Sequence, residues 1–327
     1  MKEDTPRRGI NLQSRDYDLL RGLLESRVMT TQQIELMYFQ DALPYAYKRL
    51  AALLDAGILD IRTRESAANR RIFFLTKRGF DALMAKRQDL PVVISWLEMD
   101  RRLRKLTDKY LAHELSVMDA KIALTRATAA AGRQSWCTTW PRLHRFTVAG
   151  SDGRKHAMRP DAFLRVTWQE DDSVLARDFF IEIDRSHEVL PKLIEKAWRY
   201  RNYLNSGGYQ REFCHTGRDA PVNVQEYHFT VLVVVPSAAR RNNIAMRLLA
   251  MHPPVRQLVW LTTIDELLAD PLAAIWLRPT DVLAAVRGTS YDPDQREPGT
   301  TGLSDAACDA MIDQRARRWS LLDEPRA

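Results

Sequence analysis

The fold of this chain is decided by two short acidic stretches, RPD at residues 159–161 and FFIEID at residues 179–184. Asp161 and Glu182 each lie beside or within an apolar run that is typical of a buried strand. A carboxylate at the end of a core strand is costly to bury, and two carboxylates brought together repel each other. A cation such as Mg²⁺ relieves this repulsion, because it takes carboxylate oxygens as ligands and leaves room for phosphate. The two stretches therefore predict a metal-dependent site for phosphodiester chemistry.

The elements around these stretches follow a regular order. The sequence predicts a helix at 111–131, strands at 136–148, 162–168 and 178–184, a helix at 189–204, a strand at 227–235, a helix at 238–251, a strand at 258–262 and a short helix at 264–269. A polar turn at 169–172 joins two of the strands. This order is α-β-β-β-α-β followed by a further α-β, and it predicts a mixed sheet.

The second acidic stretch also resembles a known motif. Residues 160–161, a strand, and Glu182-x-Asp184 resemble the PD-(D/E)xK nuclease superfamily, whose common core has the same element order. The resemblance implies a restriction-endonuclease-like domain in which the acids hold Mg²⁺ or Mn²⁺, here at Asp161 and Glu182. In that superfamily a lysine orients the attacking water or stabilises the developing charge. Asp184 stands in the lysine's place, so the lysine would come from the following helix, where Lys196 lies.

A candidate catalytic set follows from this resemblance. Its members are Asp161, Glu182, Asp184, Lys196 and Glu114. Glu114 is included because the helix before the first core strand often supplies a further acid in the superfamily. Two alternatives stay open: Lys196 pairs with Glu182 or Asp184 in a network without chemistry, and Glu114 is an exposed carboxylate on an amphipathic helix.

One family is matched more closely. Residues 159–162, residues 181–185, and Lys196 followed by Tyr200 and Tyr203 resemble the replication-relaxation family of plasmids and integrative elements. The resemblance covers about residues 12–270. It implies a winged helix joined to a nuclease-like domain, with a function in replication or mobilisation of a mobile element.

Most of the net positive charge of the chain lies in its N-terminal third. The formal net charge is +7. Residues 1–110 hold 21 Lys and Arg against 15 Asp and Glu, whereas the remaining residues hold 28 against 27. A local basic excess favours a polyanionic partner such as DNA, with ordinary surface charge as the alternative.

The same third has the helix order of a winged helix-turn-helix. Helices are predicted at 14–26, from Thr30 or Thr31 onward, at 41–56 and at 76–86, with strands at 58–61 and 72–75. The third helix of such a module enters the major groove, and the basic hairpin is the wing. The predicted DNA-binding residues here and on the helix at 189–204 are Tyr45, Tyr47, Lys48, Arg49, Arg62, Arg64, Arg70, Arg71, Lys77, Arg78, Lys192 and Arg199. A winged helix used for protein contacts is the alternative.

Composition narrows the protein class. No stretch approaches the apolar length of a membrane span, and the N-terminus lacks the apolar segment of a secretory signal. Three scattered cysteines, Cys137, Cys214 and Cys308, suit a reducing cytoplasm and form no metal spacing. We therefore expect a cytoplasmic protein. The expected partners are double-stranded DNA, replication or conjugation proteins and a second copy of the chain, with no membrane.

The sequence thus predicts an α/β (α+β) protein with two domains. A winged helix-turn-helix spans 1–90, a linker helix 91–110, a nuclease-like α-β-β-β-α-β mixed-sheet domain 111–286, and a flexible linker with a C-terminal helix 287–327. The expected function is DNA binding for replication or mobilisation of a mobile element. An active metal-dependent endonuclease or nickase, and a transcriptional regulator with a degenerate nuclease-like domain, are the alternatives.

Overall fold

The computed structural model has a mixed α/β architecture, as the sequence predicts. It describes residues 9–40, 42–62, 71–86, 90, 94–150, 153–170, 173–185, 190–214, 228–286 and 305–322. The chain divides into two compact units, Met1–Ile122 and Ala123–Ala327. Among the described residues, no helix is long and apolar enough to cross a membrane.

The N-terminal unit combines helices with a small antiparallel sheet. Its elements are α1 (Ser14–Ser26), β1 (Met29–Thr30), α2 (Thr31–Tyr38), α3 (Leu43–Asp55), β2 (Leu59–Arg62), β3 (Ile72–Leu75), α4 (Lys77–Lys86), α5 (Trp96–Arg104) and the start of α6 (Asp108–Ala130). The sheet has the strand order β1-β3-β2, and both strand pairs are antiparallel. Residues 63–70, which hold most of the predicted wing loop, lie outside the described residues.

Local sequence signals explain where these helices begin and end. The Thr30 hydroxyl accepts the Gln33 N–H at 3.2 Å, and the Gln33 side chain accepts the Thr30 N–H at 2.9 Å, so the two residues form a capping box at α2. Pro44 lies in the first turn of α3, where its missing N–H costs nothing. Gly57 follows α3 with a φ of 66°. This conformation is one that glycine adopts readily, as expected after a helix end.

The C-terminal unit is built on a five-stranded sheet. Its strands and helices are β4 (Gln134–Thr138), α7 (Pro141–His144), β5 (Phe146–Ala149), β6 (Lys155–Met158), β7 (Ala162–Glu170), β8 (Ser173–Ile183), α8 (Leu190–Asn205), a π-helical turn (Gln210–Cys214), β9 (Phe229–Val235), α9 (Ala238–Leu249), β10 (Val259–Thr263), α10 (Ile264–Ala269), α11 (Pro279–Val286) and α12 (Asp305–Arg315). The sheet order is β10-β9-β8-β7-β4.

The sheet is mixed in direction. Strands β4, β7 and β8 pair antiparallel, whereas β8, β9 and β10 pair parallel. The C-terminal ends of β8, β9 and β10 therefore lie at the same end of the sheet. In the chain, α8 follows β8 and α9 follows β9. Phe180, Phe229 and Val233 are buried in the core cluster on one face of this sheet. Because side chains alternate along a strand, Asp178, Phe180 and Glu182 share that face of β8.

The predicted strand at 136–148 is wrong in the structure. It is three elements: β4, the short helix α7 and β5. Pro141 explains the break, because proline has no N–H to donate to a sheet ladder and suits the first position of a helix. The strands β5 and β6 then pair with each other as a separate two-stranded sheet.

The C-terminal segment is part of the second unit's core. Cys308 and Ile312 of α12 are buried in the same cluster as Val282 of α11. Trp319 forms an isolated bridge with Trp276. The predicted flexible linker at 287–302 lies outside the described residues.

Candidate functional site

Glu182 is the centre of the predicted site. It lies one residue before the end of β8 and is 6 % exposed. Lys196 and Tyr200 of α8 face it: Lys196 Nζ donates to Glu182 Oε2 at 3.2 Å, and the Tyr200 hydroxyl donates to Glu182 Oε1 at 2.7 Å. Sequence reasoning marked Tyr200 only through the family resemblance and missed its bond to Glu182. Their spacing of four residues is the signal, because it puts both side chains on one helix face.

Asp161 is held beside the end of the same strand. Its Oδ2 accepts the Ile183 N–H at 2.8 Å, and its own N–H donates to the Ile181 carbonyl at 3.0 Å. These two bonds extend the β7–β8 pairing by one residue. The structure therefore brings Asp161 and Glu182 to one end of the sheet.

Asp184 is buried at that end and pairs with a residue that sequence reasoning missed. Arg240 Nε donates to Asp184 Oδ2 at 2.8 Å, and the Asp184 N–H donates to the Val234 carbonyl at 2.9 Å. Arg240 lies in the first turn of α9, whose N-cap is Ser237. No motif marks Arg240, since it is 56 residues away in sequence and meets Asp184 only because β8 and β9 are neighbours.

The acidic residues line a small cavity. It measures about 20 Å³ and is bounded on the polar side by Glu182, Asp184, Lys196 and Tyr200. Its other walls are apolar side chains of α8, β9 and β10. A cavity of this size holds about one water molecule.

Burial changes the acidity of Glu182. Burial is the main cause of a rise in its pKa from 4.5 to about 7; the Lys196 ammonium opposes this rise, and the charge of Asp161 adds to it. Burial also raises the pKa of Tyr200 well above 10. Glu182 therefore titrates near neutral pH, and Tyr200 remains a hydrogen-bond donor.

We expect Glu182 to make the folded protein less stable as pH rises through 7. Between pH 4.5 and about 7 the folded chain holds a proton on Glu182 that the unfolded chain releases. This contribution is fully present below the unfolded pKa and is lost as pH rises through the folded one. Urea unfolding at pH 5.5 and pH 8 should show a loss on the order of 2 kcal/mol that Glu182→Gln abolishes.

The control for this measurement is Glu195→Gln. Glu195 lies on the same helix, is exposed, and pairs with Arg199. It should leave the pH dependence of the wild type intact. An equal pH dependence in wild type and Glu182→Gln would contradict the assignment.

The carboxylates do not fit a resident metal ion in this arrangement. Both oxygens of Glu182 already accept hydrogen bonds, and one oxygen of Asp161 accepts a backbone N–H. Within the described ranges, no group of three or more His, Cys, Asp or Glu residues is placed to hold a metal. Mg²⁺ and Mn²⁺ need several free oxygen ligands, whereas this cluster is neutralised by a lysine and an arginine.

The sequence assigns three further residues to the nuclease-like domain, and the structure gives each of them a different environment. Glu114 belongs to the N-terminal unit and forms an ion pair with Arg27. Lys192 is exposed in the first turn of α8. Arg199 Nη2 pairs with Glu195 at 2.5 Å, one turn before it on the same helix.

The predicted DNA-binding residues of α3 divide into two groups. Tyr45, Tyr47 and Lys48 are exposed. Arg49 instead turns inward: its guanidinium forms an ion pair with the buried Asp16 and donates to the Asn11 carbonyl at 2.8 Å. Arg49 therefore stabilises the packing of α1 against α3.

The residues around the predicted wing are also divided. Arg71 and Arg78 are exposed. Arg62 Nη1 donates to the Leu106 carbonyl at 2.6 Å, and Lys77 pairs with Asp81 at 2.7 Å. Arg64 and Arg70 lie outside the described residues.

The fold and the site define a two-unit α/β protein with a cation-neutralised acidic cluster at the end of a mixed sheet. The chain belongs to the replication-relaxation family, whose model matches residues 20–215, more than half of the chain. The family predicted from the sequence is confirmed, over a shorter span than 12–270. No curated protein and no solved structure matches the chain.

Proposed function

We propose that this protein binds duplex DNA through its N-terminal unit and acts in the replication or mobilisation of a mobile element. One observation carries the proposal: the element order α1-β1-α2-α3-β2-β3, with the sheet order β1-β3-β2. This is the arrangement expected of a winged helix-turn-helix, which places its last helix before the hairpin in the major groove.

The surface of α3 supports this proposal. Ala46, Leu50 and Leu53 are buried on one side of the helix. Tyr45 and Tyr47 flank this buried side, one on each side of it, and are 52 % and 48 % exposed. A tyrosine joins an apolar ring to a hydroxyl, so each of these exposed side chains can contact both apolar and polar groups of a partner. Together with the neighbouring Lys48, they suit contacts with base edges and phosphates.

The strand β3 and helix α4 place further cations at the base of the hairpin. Arg71 precedes β3 and Arg78 lies in the first turn of α4. Phosphate contacts from these positions would fix the register of α3 on the duplex without reading sequence. Membership of the replication-relaxation family supports the role in a mobile element by association, and replication or conjugation proteins are the partners that this role implies.

The wing provides the test. Replacing Arg64, Arg70 and Arg71 with Ala in the full-length chain should weaken duplex binding, because each lost phosphate contact removes released counterions. The slope of log affinity against log salt should become shallower by about 0.9 per lost contact, or about 2.7 in all. Fluorescence anisotropy across a salt series measures both quantities.

A matched variant controls for the change in net charge. Arg101, Lys105 and Lys109 are exposed in the same unit, and their replacement with Ala removes the same number of charges. This control should keep nearly the affinity and slope of the wild type. If the wing variant folds and keeps the duplex affinity and salt slope of the control, the proposal is wrong.

Metal-dependent nicking is the second candidate. It is favoured by the approach of Lys196 to Glu182 beside Asp161. We infer instead that the cluster works without a resident metal, because both oxygens of Glu182 and one oxygen each of Asp161 and Asp184 already accept hydrogen bonds. The expected result with supercoiled DNA in Mg²⁺ or Mn²⁺ is binding without nicking. Nicking that is lost in Asp161→Ala would reverse the choice between the two candidates.

A further inference from the structure

A short hairpin in the C-terminal unit combines a buried aromatic face with an exposed basic one. We define the basic hairpin as β5 and β6 with the flanking Arg145 and Arg159. Its strands pair antiparallel, with Phe146 opposite Met158. Both of these side chains are buried, and the Phe146 ring stacks on Tyr203 of α8 at 3.8 Å between centroids. The hairpin is therefore fixed firmly on α8.

The outward face of the hairpin is flat, because most of its side chains are short. Thr147, Ala149 and Ala157 are exposed there, and Lys155 stands opposite Ala149. Among the described residues, this face exposes no aromatic side chain. A β-ribbon with such short side chains allows a large partner to approach the backbone closely.

Three exposed cations lie around this flat face. Arg145, Lys155 and Arg159 are exposed, and none of them forms an ion pair with a carboxylate in the described part of the chain. Other cations of the same unit behave differently: Arg165 pairs with Asp178, and Arg240 pairs with Asp184. The basic hairpin is therefore a positive surface that the described carboxylates of the unit do not neutralise.

The chain path places the base of the hairpin next to the acidic cluster. Arg159 lies two residues before Asp161, whose backbone is hydrogen-bonded to Ile181. Arg145 is one residue from Phe146, which pairs with Met158, so Arg145 and Arg159 flank the same end of the hairpin. Arg185, which is exposed, follows the last residue of the cluster on β8.

We propose that the basic hairpin is a second DNA-binding surface that contacts the phosphate backbone of duplex DNA. The inference rests on the proposed function and adds to it a surface outside the N-terminal unit. Charge complementarity supplies the partner: exposed guanidinium and ammonium groups around a flat backbone suit phosphates. Duplex rather than single-stranded DNA is the occupant, because single-strand binders offer aromatic rings on which bases stack, and this face has none among its described residues.

The test uses the full-length chain and a random-sequence duplex. Replacing Arg145, Lys155 and Arg159 with Gln should weaken binding about tenfold at physiological salt and make the salt slope shallower by about 2.7. The matched control replaces Arg247, Arg256 and Arg315, exposed arginines elsewhere in the same unit. It removes the same charge and should change affinity less than about twofold, because long-range attraction is screened at this salt.

A second variant keeps the test valid if the first one folds poorly. Thr147→Glu leaves all three cations in place and puts a carboxylate on the outward face, so it should also weaken duplex binding. A single strand of the same sequence is the comparison probe, and its affinity should change less than that of the duplex. Unaltered thermal unfolding confirms that the variants fold.

The outcomes separate this inference from the proposed function. If wild type binds the duplex and the wing variant loses binding, but both hairpin variants match the control, the basic hairpin inference is overturned and the proposed function stands. Loss of single-strand binding alone also overturns it. If wild type binds no duplex at all, both proposals fail.

Discussion

Replacing Arg165 with Met should lower the free energy of unfolding of the C-terminal unit by about 3–5 kcal/mol. Arg165 Nε and Nη2 donate to the two carboxylate oxygens of Asp178 at 2.7 and 2.6 Å. Asp178 is 1 % exposed and also accepts the Tyr209 hydroxyl. Removing the guanidinium leaves a buried carboxylate without its counter-ion, and this is more costly than losing the pair as a whole.

A double variant distinguishes this cause from simple loss of packing. Replacing Arg165 with Met and Asp178 with Leu removes both charges, and it should recover most of the lost stability. Lys192→Met is the surface control, since Lys192 is exposed, and it should stay within about 0.5 kcal/mol of wild type. Urea denaturation of each variant gives the free energies. Equal losses in the single and double variants would show that the buried charge is not the cause.

The second large effect follows from the proposed recognition of DNA by α3. Replacing Tyr47 and Lys48 with Ala should reduce discrimination between a preferred duplex and a random one by about 1–3 kcal/mol, because base-edge contacts carry sequence selectivity. Non-specific affinity should fall less, because the phosphate contacts proposed for the wing are unchanged in this variant. Competition binding with the two duplexes measures the difference.

The inward-facing arginine of the same helix makes a useful contrast. Arg49→Ala removes the partner of the buried Asp16, so it should destabilise the N-terminal unit. The Tyr47 and Lys48 variant should leave stability nearly unchanged, because both side chains are exposed. If that variant loses stability as Arg49→Ala does, its loss of selectivity cannot be assigned to missing DNA contacts.

Much of the fold could be predicted from local sequence signals. Helix α2 begins at a threonine cap, and α3 ends before Gly57, as the pattern indicates. Strand β9 reads FTVLVVV, an almost continuous apolar run whose length and composition are typical of a buried strand. These signals are local, so one sequence is enough to see them.

The parts that were missed depend on tertiary contacts or on short elements. Strands β5 and β6 have four residues each, too few for periodicity to separate them from a loop. Arg49 looked like a surface cation of α3, and only the packing of α1 reveals its partner Asp16. Arg240 meets Asp184 through the parallel pairing of β8 with β9, which no spacing rule predicts.

The candidate site shows the same division. The sequence predicts that Asp161, Glu182 and Lys196 come together, and the structure places them at one end of the sheet. What the acids do depends on their partners. Tyr200 and Lys196 hydrogen-bond Glu182, and Arg240 pairs with Asp184, and sequence spacing alone does not reveal the last of these partners.

Selection of bound fragments from the host genome and its mobile elements tests the central claim most directly. The full-length protein and its Tyr47→Ala, Lys48→Ala variant would be incubated with the same fragment library, and the bound DNA would be sequenced. We expect the wild type to enrich a replication-origin-like or transfer-like site of a mobile element, and we expect the variant to lose this enrichment. Recovery of random fragments, or of none, by the wild type would contradict it.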